Sequence, residues 1–384
     1  PSQRRMVVFI EELGLKTEST FHDGRKLLDL EGQVSTYTSS IPRISIWKLI
    51  SMQLAIWRIE WLCRKVPKLA PWEAAKALEW DGMSVRDLLD TQVKDPEVIA
   101  LTNSAVRVIF GSDVEDLGLL HFLHYLHCGG GLTKLIETHD GNQDSSVVGG
   151  AQQLCEGMAE GLDLVLQAPV RAVRHGPDGV QVDSDAGTFS ARELVMAIPT
   201  PLLAKVDFQP ELSPDRQALH DQTRMGNTVK CQVLYERAFW REAGWSGEAV
   251  CTRGPLTVVF DGVVASGAPA LLVFITGRPA QGWSARAPEE RRALVLDALT
   301  AWFGPDAAKP LQLHETDWSE EPWSGGAPVV LFPQGTLTRY GPALRRPEGP
   351  IHWAGTETAR EHTGFMEGAL ESGERVAQEI LAAR

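Results

Sequence analysis

Cysteine is sparse in this chain and shows no order. Cys63, Cys128, Cys155, Cys231 and Cys251 are scattered over 384 residues. An odd count with no C-x-x-C excludes a disulfide framework and a cysteine zinc site. A reducing compartment, the cytoplasm, is the expected home. Positive charge is also short: 37 Lys and Arg against 50 Asp and Glu leave a net charge of −13. A general nucleic-acid binder needs a basic face for phosphates, and a polybasic membrane-surface protein needs an excess of cations. The overall charge argues against both. No apolar run approaches the roughly 20 residues of a membrane span, and Leu271 to Ile275 reads as a core strand. The opening residues show no signal-peptide pattern, so none is expected, and there is no internal repeat or low-complexity tract. The G-x-G-x-x-G turn that binds dinucleotides is missing too. The run Gly129–Gly131 has the wrong spacing and opens no helix after a strand.

What remains is a globular composition, 43% apolar and 23% charged, with 35 glycines and 12 tryptophans. Glycines permit close backbone approach and tryptophans suit broad flat contacts, so both fit a protein that encloses a large planar ligand. The chain opens on a helical pattern, with Met6, Val7, Phe9, Ile10 and Leu13 in spacing. Residues 44–127 read as helical, with tryptophans and aliphatics at three- and four-residue steps, broken at Pro67, Pro71, Asp81–Gly82 and Asp95–Pro96. Ser84 and Asp87 predict a capped helix over Val85–Leu89. After the glycines at 129–131 and 149–150 the texture changes to an alternating meander, with turns at Gly176–Gly179 and Asp185–Gly187. Residues 227–236 read as another alternating strand and 288–303 as a helix. Then "IHWAG" (351–355) reads as a buried strand, with a closing helix behind it. Helical runs set between strand-rich parts predict two interleaved domains.

The segment "IHWAGTETAREHTGFMEGALESGERVAQEI" carries the most information. An apolar strand ends at Gly355, an acid follows at Glu357, and a helix starts near Gly364–Phe365. The free N–H groups and partial positive charge of a helix N-terminus can hold a ligand oxygen or a developing anion. By local pattern alone a glycine-capped core helix is the commoner reading. This block resembles the C-terminal flavin-binding signature of the flavin-dependent amine oxidases, the monoamine oxidase-like family. Further blocks resemble the same family in order: "APWEAAKALEWDGMSVRDLLD" (70–90), "DGNQDSSVVGGAQQL" (140–154), "APVRAVR" with "AIPTPLLAKVDFQPEL", "MGNTVKCQVLYERAFW" (225–240), "DWSEEPWSGG" (317–326) and "LTRYGPALRRP". The resemblance implies an α/β fold of mixed type with two interleaved domains. A Rossmann-like flavin domain would take 1–17, 146–222 and 320–384, and a substrate domain of mixed sheet and helices 18–145 and 223–319. It implies FAD as cofactor, a small-molecule amine and dioxygen as partners, and leaves a homodimer open. A membrane or nucleic-acid partner is not expected.

The resemblance also implies site residues. Lys230, by pattern a solvated strand lysine, matches the lysine near the flavin's hydride-accepting nitrogen. Trp318 matches a tryptophan beside the flavin ring, and Val170 a residue whose backbone meets the adenine. Glu357 matches a residue of the ribityl or phosphate region, and Met366 one whose backbone N–H meets the pyrimidine end. Gly325, Gly326, Gly355, Gly364 and Phe365 line the same cofactor. Ile136, Gln143, Pro328 and Phe365 match the substrate cavity. Ala327 stands where the mitochondrial enzymes link flavin through cysteine, which implies noncovalent FAD. Pro328 and Phe365 stand at the aromatic amine cage, so half the cage is gone and a simple arylalkylamine is not the expected substrate. His121, His124 and His127, with Cys128, share part of a helix face but have no acidic partner, and no metal is expected.

The family begins with a βαβ unit carrying G-x-G-x-x-G, and "PSQ" matches it just after that unit. The expectation is a truncated chain, lacking at least about 30 residues of that unit. The other readings are a segment supplied by a second polypeptide, or a degenerate, flavin-free binding scaffold. Within enzymes the alternative is an L-amino-acid or polyamine oxidase of the same superfamily.

Overall fold

The computed structural model describes residues 3–38, 45–136, 141, 144–263 and 267–383. The helical block is present as the helices Ile46–Cys63, Val85–Gln92, Pro96–Phe110 and Leu119–Cys128, with shorter turns between them. Local chemistry sets their ends. Ser84 Oγ accepts from the Asp87 N–H at 3.1 Å while the Asp87 carboxylate accepts from the Ser84 N–H at 2.8 Å, the reciprocal pair the sequence predicts. The Asp95 side chain accepts from the Glu97 N–H, Pro96 takes the first helical position, and Gly111 closes that helix at φ 63°. Leu119–Cys128 is buried on almost every side. It forms the axis of a core that includes Leu62, Val85, Leu89, Val106, Phe110 and Leu331.

The Trp-rich first helix behaves differently from its periodicity. Its inward face is Ala55, Ile59, Leu62 and Cys63. Trp47, Trp57 and Trp61 point outward, and are 77%, 63% and 50% exposed.

A seven-stranded mixed sheet forms the second core. Its strand order is Gln312–Asp317, Thr228–Leu234, Pro269–Thr276, Val258–Val263, Trp245–Cys251, Arg25–Leu30, Gln33–Tyr37. The alternation at 227–236 is borne out: Val229, Cys231 and Val233 are fully buried and face the helix Pro288–Phe303 through Val295 and Leu299. The hairpin at 25–37 has no counterpart in the sequence expectations. It joins the sheet by parallel pairing of Arg25–Leu30 with Trp245–Cys251, more than two hundred residues away. Such a partner lies beyond any local pattern.

The meander is Val170–Gly176, Gly179–Ser184 and Gly187–Ala191, with Asp207–Gln209 added in parallel on the first strand. Ile351–Trp353 pairs in parallel with Leu194–Met196, and no other described strand joins that pair. The stretch 162–166, outside any helix or strand, leaves Leu162, Leu164 and Leu166 exposed.

The opening helix Arg4–Glu12 packs on the closing helix Met366–Ala382. Buried Glu367 accepts from the N–H groups of Arg5 and Met6 at 3.2 and 2.8 Å. It thus satisfies N–H groups at the start of the opening helix. Thr17–Ser19 pairs antiparallel with Ser145–Val147. The expected domain crossings at 17/18 and 145/146 fall in that pair.

Candidate active site

The lysine-bearing strand is the organising element. Lys230 stands opposite Thr316 on one side and Phe274 on the other. Its Nζ lies 5.4 Å from the Phe274 ring centroid, and it has no ion pair or hydrogen bond with another described residue. Burial pushes the ammonium's pKa below its ordinary value. Two residues earlier, Thr228 ties the strand to its surroundings. Its carbonyl accepts from the Trp318 N–H at 3.1 Å. Its hydroxyl donates to the Ala327 carbonyl at 2.9 Å. Lys230, Trp318 and the 325–328 loop are thereby drawn to one place. Trp318 keeps 36% of its surface exposed and Pro328 is exposed.

Three backbones cross beneath this loop. The Ala327 N–H donates to the Gly226 carbonyl at 2.9 Å and the Asn227 N–H to Gly111 at 2.8 Å. A Cβ on Gly226 would sit 2.2 Å from the Phe110 carbonyl oxygen and 2.6 Å from that of Ala327. Only glycine permits that crossing. Gly326 passes as closely over Gly226, and Gly325 lies against Leu202.

On the other side, Ile351–Trp353 leads into Gly355 and a turn whose Glu357 carboxylate accepts from the Thr200 N–H and hydroxyl at 2.8 and 3.0 Å. Burial raises the Glu357 pKa, against those bonds and the nearby Arg216 charge. The Thr356 hydroxyl donates to the Phe365 carbonyl at 2.8 Å. Gly364 has φ 86°, and a Cβ there would lie 2.3 Å from the Tyr125 ring. That approach seats Tyr125 on Phe365, with centroids 5.7 Å apart and planes at 28°. The closing helix then begins at Met366, which is 50% exposed, with no side chain capping its free N–H groups.

Val170 belongs to a separate cluster. It packs on a core cluster that includes Val173, Met196, Ile351 and Trp353, the last two from the strand that leads into Gly355. Ile136 ends the short helix Leu132–Ile136, and Gln143 lies outside the described residues. Of the histidines, His124 and His127 bond the carbonyls of Lys68 and Val66 at 2.9 and 2.7 Å. His121 Nε2 has no partner in the structure. Thr200, Thr228 and Tyr125 are the contributors that sequence left unmarked. Each acts through a contact with a residue at least 80 positions away, and the only local trace is the glycine opposite Tyr125.

The family model described as flavin containing amine oxidoreductase matches residues 1–381. The chain belongs to that family. It is 35% identical to AofH of Mycobacterium tuberculosis (strain ATCC 25618 / H37Rv), over 100% of this chain and 84% of that protein. It is 32% identical to the flavin-containing amine oxidase A of Equus caballus, over 100% of this chain and 74% of that one. Among solved structures, cyclohexylamine oxidase from Brevibacterium oxydans IH-35A superposes with a TM-score of 0.94 at 29% identity, covering 99% of this chain and 85% of that chain. Putrescine oxidase bound to putrescine gives 0.95 at 28%, covering 100% and 86%.

The family is flavin-dependent, and FAD is the cofactor that membership implies. The residues present fit its ring end. The groups available for it are an uncapped helix N-terminus at Met366, the partly open rings of Trp318 and Phe365, and the half-buried ammonium of Lys230 with no described polar partner. At the pyrophosphate end, residues 1–384 hold no G-x-G-x-x-G turn.

Proposed function

We propose that this protein oxidises an amine to an imine, which water converts to a carbonyl compound and ammonia or an amine, with dioxygen reduced to hydrogen peroxide. Two electrons and two protons leave the amine carbon and nitrogen, and the same number enter dioxygen. Bound FAD would supply the two-electron relay between them. Lys230 carries the reading. A partly desolvated cation without a described acid partner is suited to stabilising the anion formed as oxygen is reduced, and a perturbed cation is tolerated where a functional charge is needed. Trp318 and Phe365 would flank the ring, with Pro328, Ile136 and Gln143 serving the substrate. The Met366 N–H would meet the pyrimidine end, Glu357 the ribityl or phosphate region, and the Val170 backbone the adenine. Ala327 has no thiol with which to link the cofactor, so binding would be noncovalent. Neutral amine binding would need no side-chain base. Polyamine and L-amino-acid substrates remain the alternatives within this chemistry.

The test has two parts. Purified protein titrated with FAD should acquire a flavin band that survives gel filtration and bleaches on anaerobic addition of an amine. A protein that stays colourless at saturating FAD would sink the proposal. In stopped flow, Lys230→Met should slow reoxidation by dioxygen by about 10²-fold or more, and amine oxidation far less. Equal slowing of both half-reactions would remove Lys230 from its assigned role.

A further inference from the structure

The helix Ile46–Cys63 is apolar on both faces, and only one is covered. Its inner face joins the helical core. Its outer face carries Ile46, Trp47, Ile50, Leu54, Trp57 and Trp61, between 44% and 77% exposed. These positions recur at three- and four-residue steps, so they form one stripe over about 23 Å of helix. A stripe of this kind calls for an occupant. Charge identifies it. Residues 45–70 hold five basic side chains, Lys48, Arg58, Arg64, Lys65 and Lys68, and one acid, Glu60; Lys48 is neutralised by Glu97, which leaves the other four. Glu60 is turned inward and accepts from the Leu132 N–H at 2.8 Å. Arg58 and Lys65 lie over the Trp61 ring at 4.6 and 5.1 Å, and neither they nor Arg64 pair with a described carboxylate. So a chain of net charge −13 gathers cations around its exposed tryptophans. Two copies meeting through this face would bring like charges together, which disfavours self-association.

We propose that this face is a docking surface for an anionic lipid bilayer, with the tryptophans at headgroup depth and Arg58, Arg64 and Lys65 against the lipid phosphates. Tryptophan is enriched at that interface because its ring is apolar and its N–H polar. A helix lying in the surface needs neither the length nor the uniform apolarity of a span, and no described helix is long and apolar enough to cross a membrane. The overall negative charge does not oppose docking, because a bilayer senses charge only within about a Debye length, ~8–10 Å.

The experiment is co-sedimentation of the full chain with vesicles of phosphatidylcholine containing phosphatidylglycerol, and with pure phosphatidylcholine. Binding should require the anionic lipid and fall with salt. Arg58→Gln with Arg64→Gln and Lys65→Gln should weaken it about 10²-fold, roughly fivefold per charge. Trp57→Ser with Trp61→Ser should weaken it similarly while the circular dichroism stays native. With wild type alone, brominated phospholipid should quench part of the tryptophan emission. Binding that ignores lipid charge, or that survives both sets of substitutions, would overturn the proposal. So would no binding at low salt, or a dimer abolished by the tryptophan changes without any vesicle binding.

Discussion

His121→Phe should stabilise this protein, and more in acid than near neutrality. His121 is 4% exposed, with its Nε2 lacking a partner. Its ring lies 5.1 Å from Phe332, 5.7 Å from Phe110 and 6.3 Å from Tyr125, centroid to centroid. Burial, helped by the nearby His124, lowers its pKa to about 3. In the unfolded chain the value is about 6.5. The folded state is therefore the weaker base. The unfolded chain takes up the proton first, and the stability contributed by neutral His121 is whole above about pH 6.5 and lost as pH falls toward about 3. Each unit in that window costs about 1.4 kcal/mol, so about 2 kcal/mol is gone near pH 5. A phenylalanine ring keeps the aromatic packing and removes a buried, unsatisfied nitrogen, a gain of about 1–2 kcal/mol near pH 8. By about pH 5 the gain should reach roughly 3–4 kcal/mol. His124 and His220, also held neutral by burial at about 4 and about 3, titrate in both proteins and cancel in the difference. Urea unfolding followed by fluorescence, for wild type and variant at both pH values, measures it. A gain of the same size at both would refute the buried, neutral state of His121. A loss at both would mean that the extra carbon atoms strain the core.

Other contacts lead to further expectations. Glu367→Ala removes the acceptor for the Arg5 and Met6 N–H groups. It should cost about 1–3 kcal/mol and expose the first residues to limited proteolysis well before the rest. Gly226→Ala drives a Cβ into two backbone carbonyls, so it should cost about 3 kcal/mol or more and deplete the soluble fraction. Gly176→Ala, where a Cβ meets nothing within 4 Å, is the matched control and should express as wild type.

Much of this molecule is written locally. Ser84 and Asp87 specify a helix start with two side chains three residues apart, and the structure forms that box. Val229, Cys231 and Val233 alternate with Lys230 and Gln232, and the strand buries the apolar set. The glycines at 325, 326, 355 and 364 signal close approach before any partner is known. The tryptophans at 47, 57 and 61 show where periodicity stops helping. A helix apolar on both faces has no preferred side in sequence, and packing against Leu119–Cys128 decided which one is covered.

By itself the sequence determined the capped helices, the alternating strands, the family to which the ordered motifs belong and the residue types available for flavin chemistry. Each depends on neighbours within a few positions, because capping, pleat and helical rise act over one or two turns. Only the tertiary structure decided that Thr228 joins the lysine strand to Trp318 and Ala327. Only it decided that Tyr125 lies on Phe365, that Glu367 holds the opening helix, and that the hairpin at 25–37 completes the sheet. Those partners stand about 90 to more than 350 residues apart. They meet through burial, which is a property of the packed molecule and has no local signature.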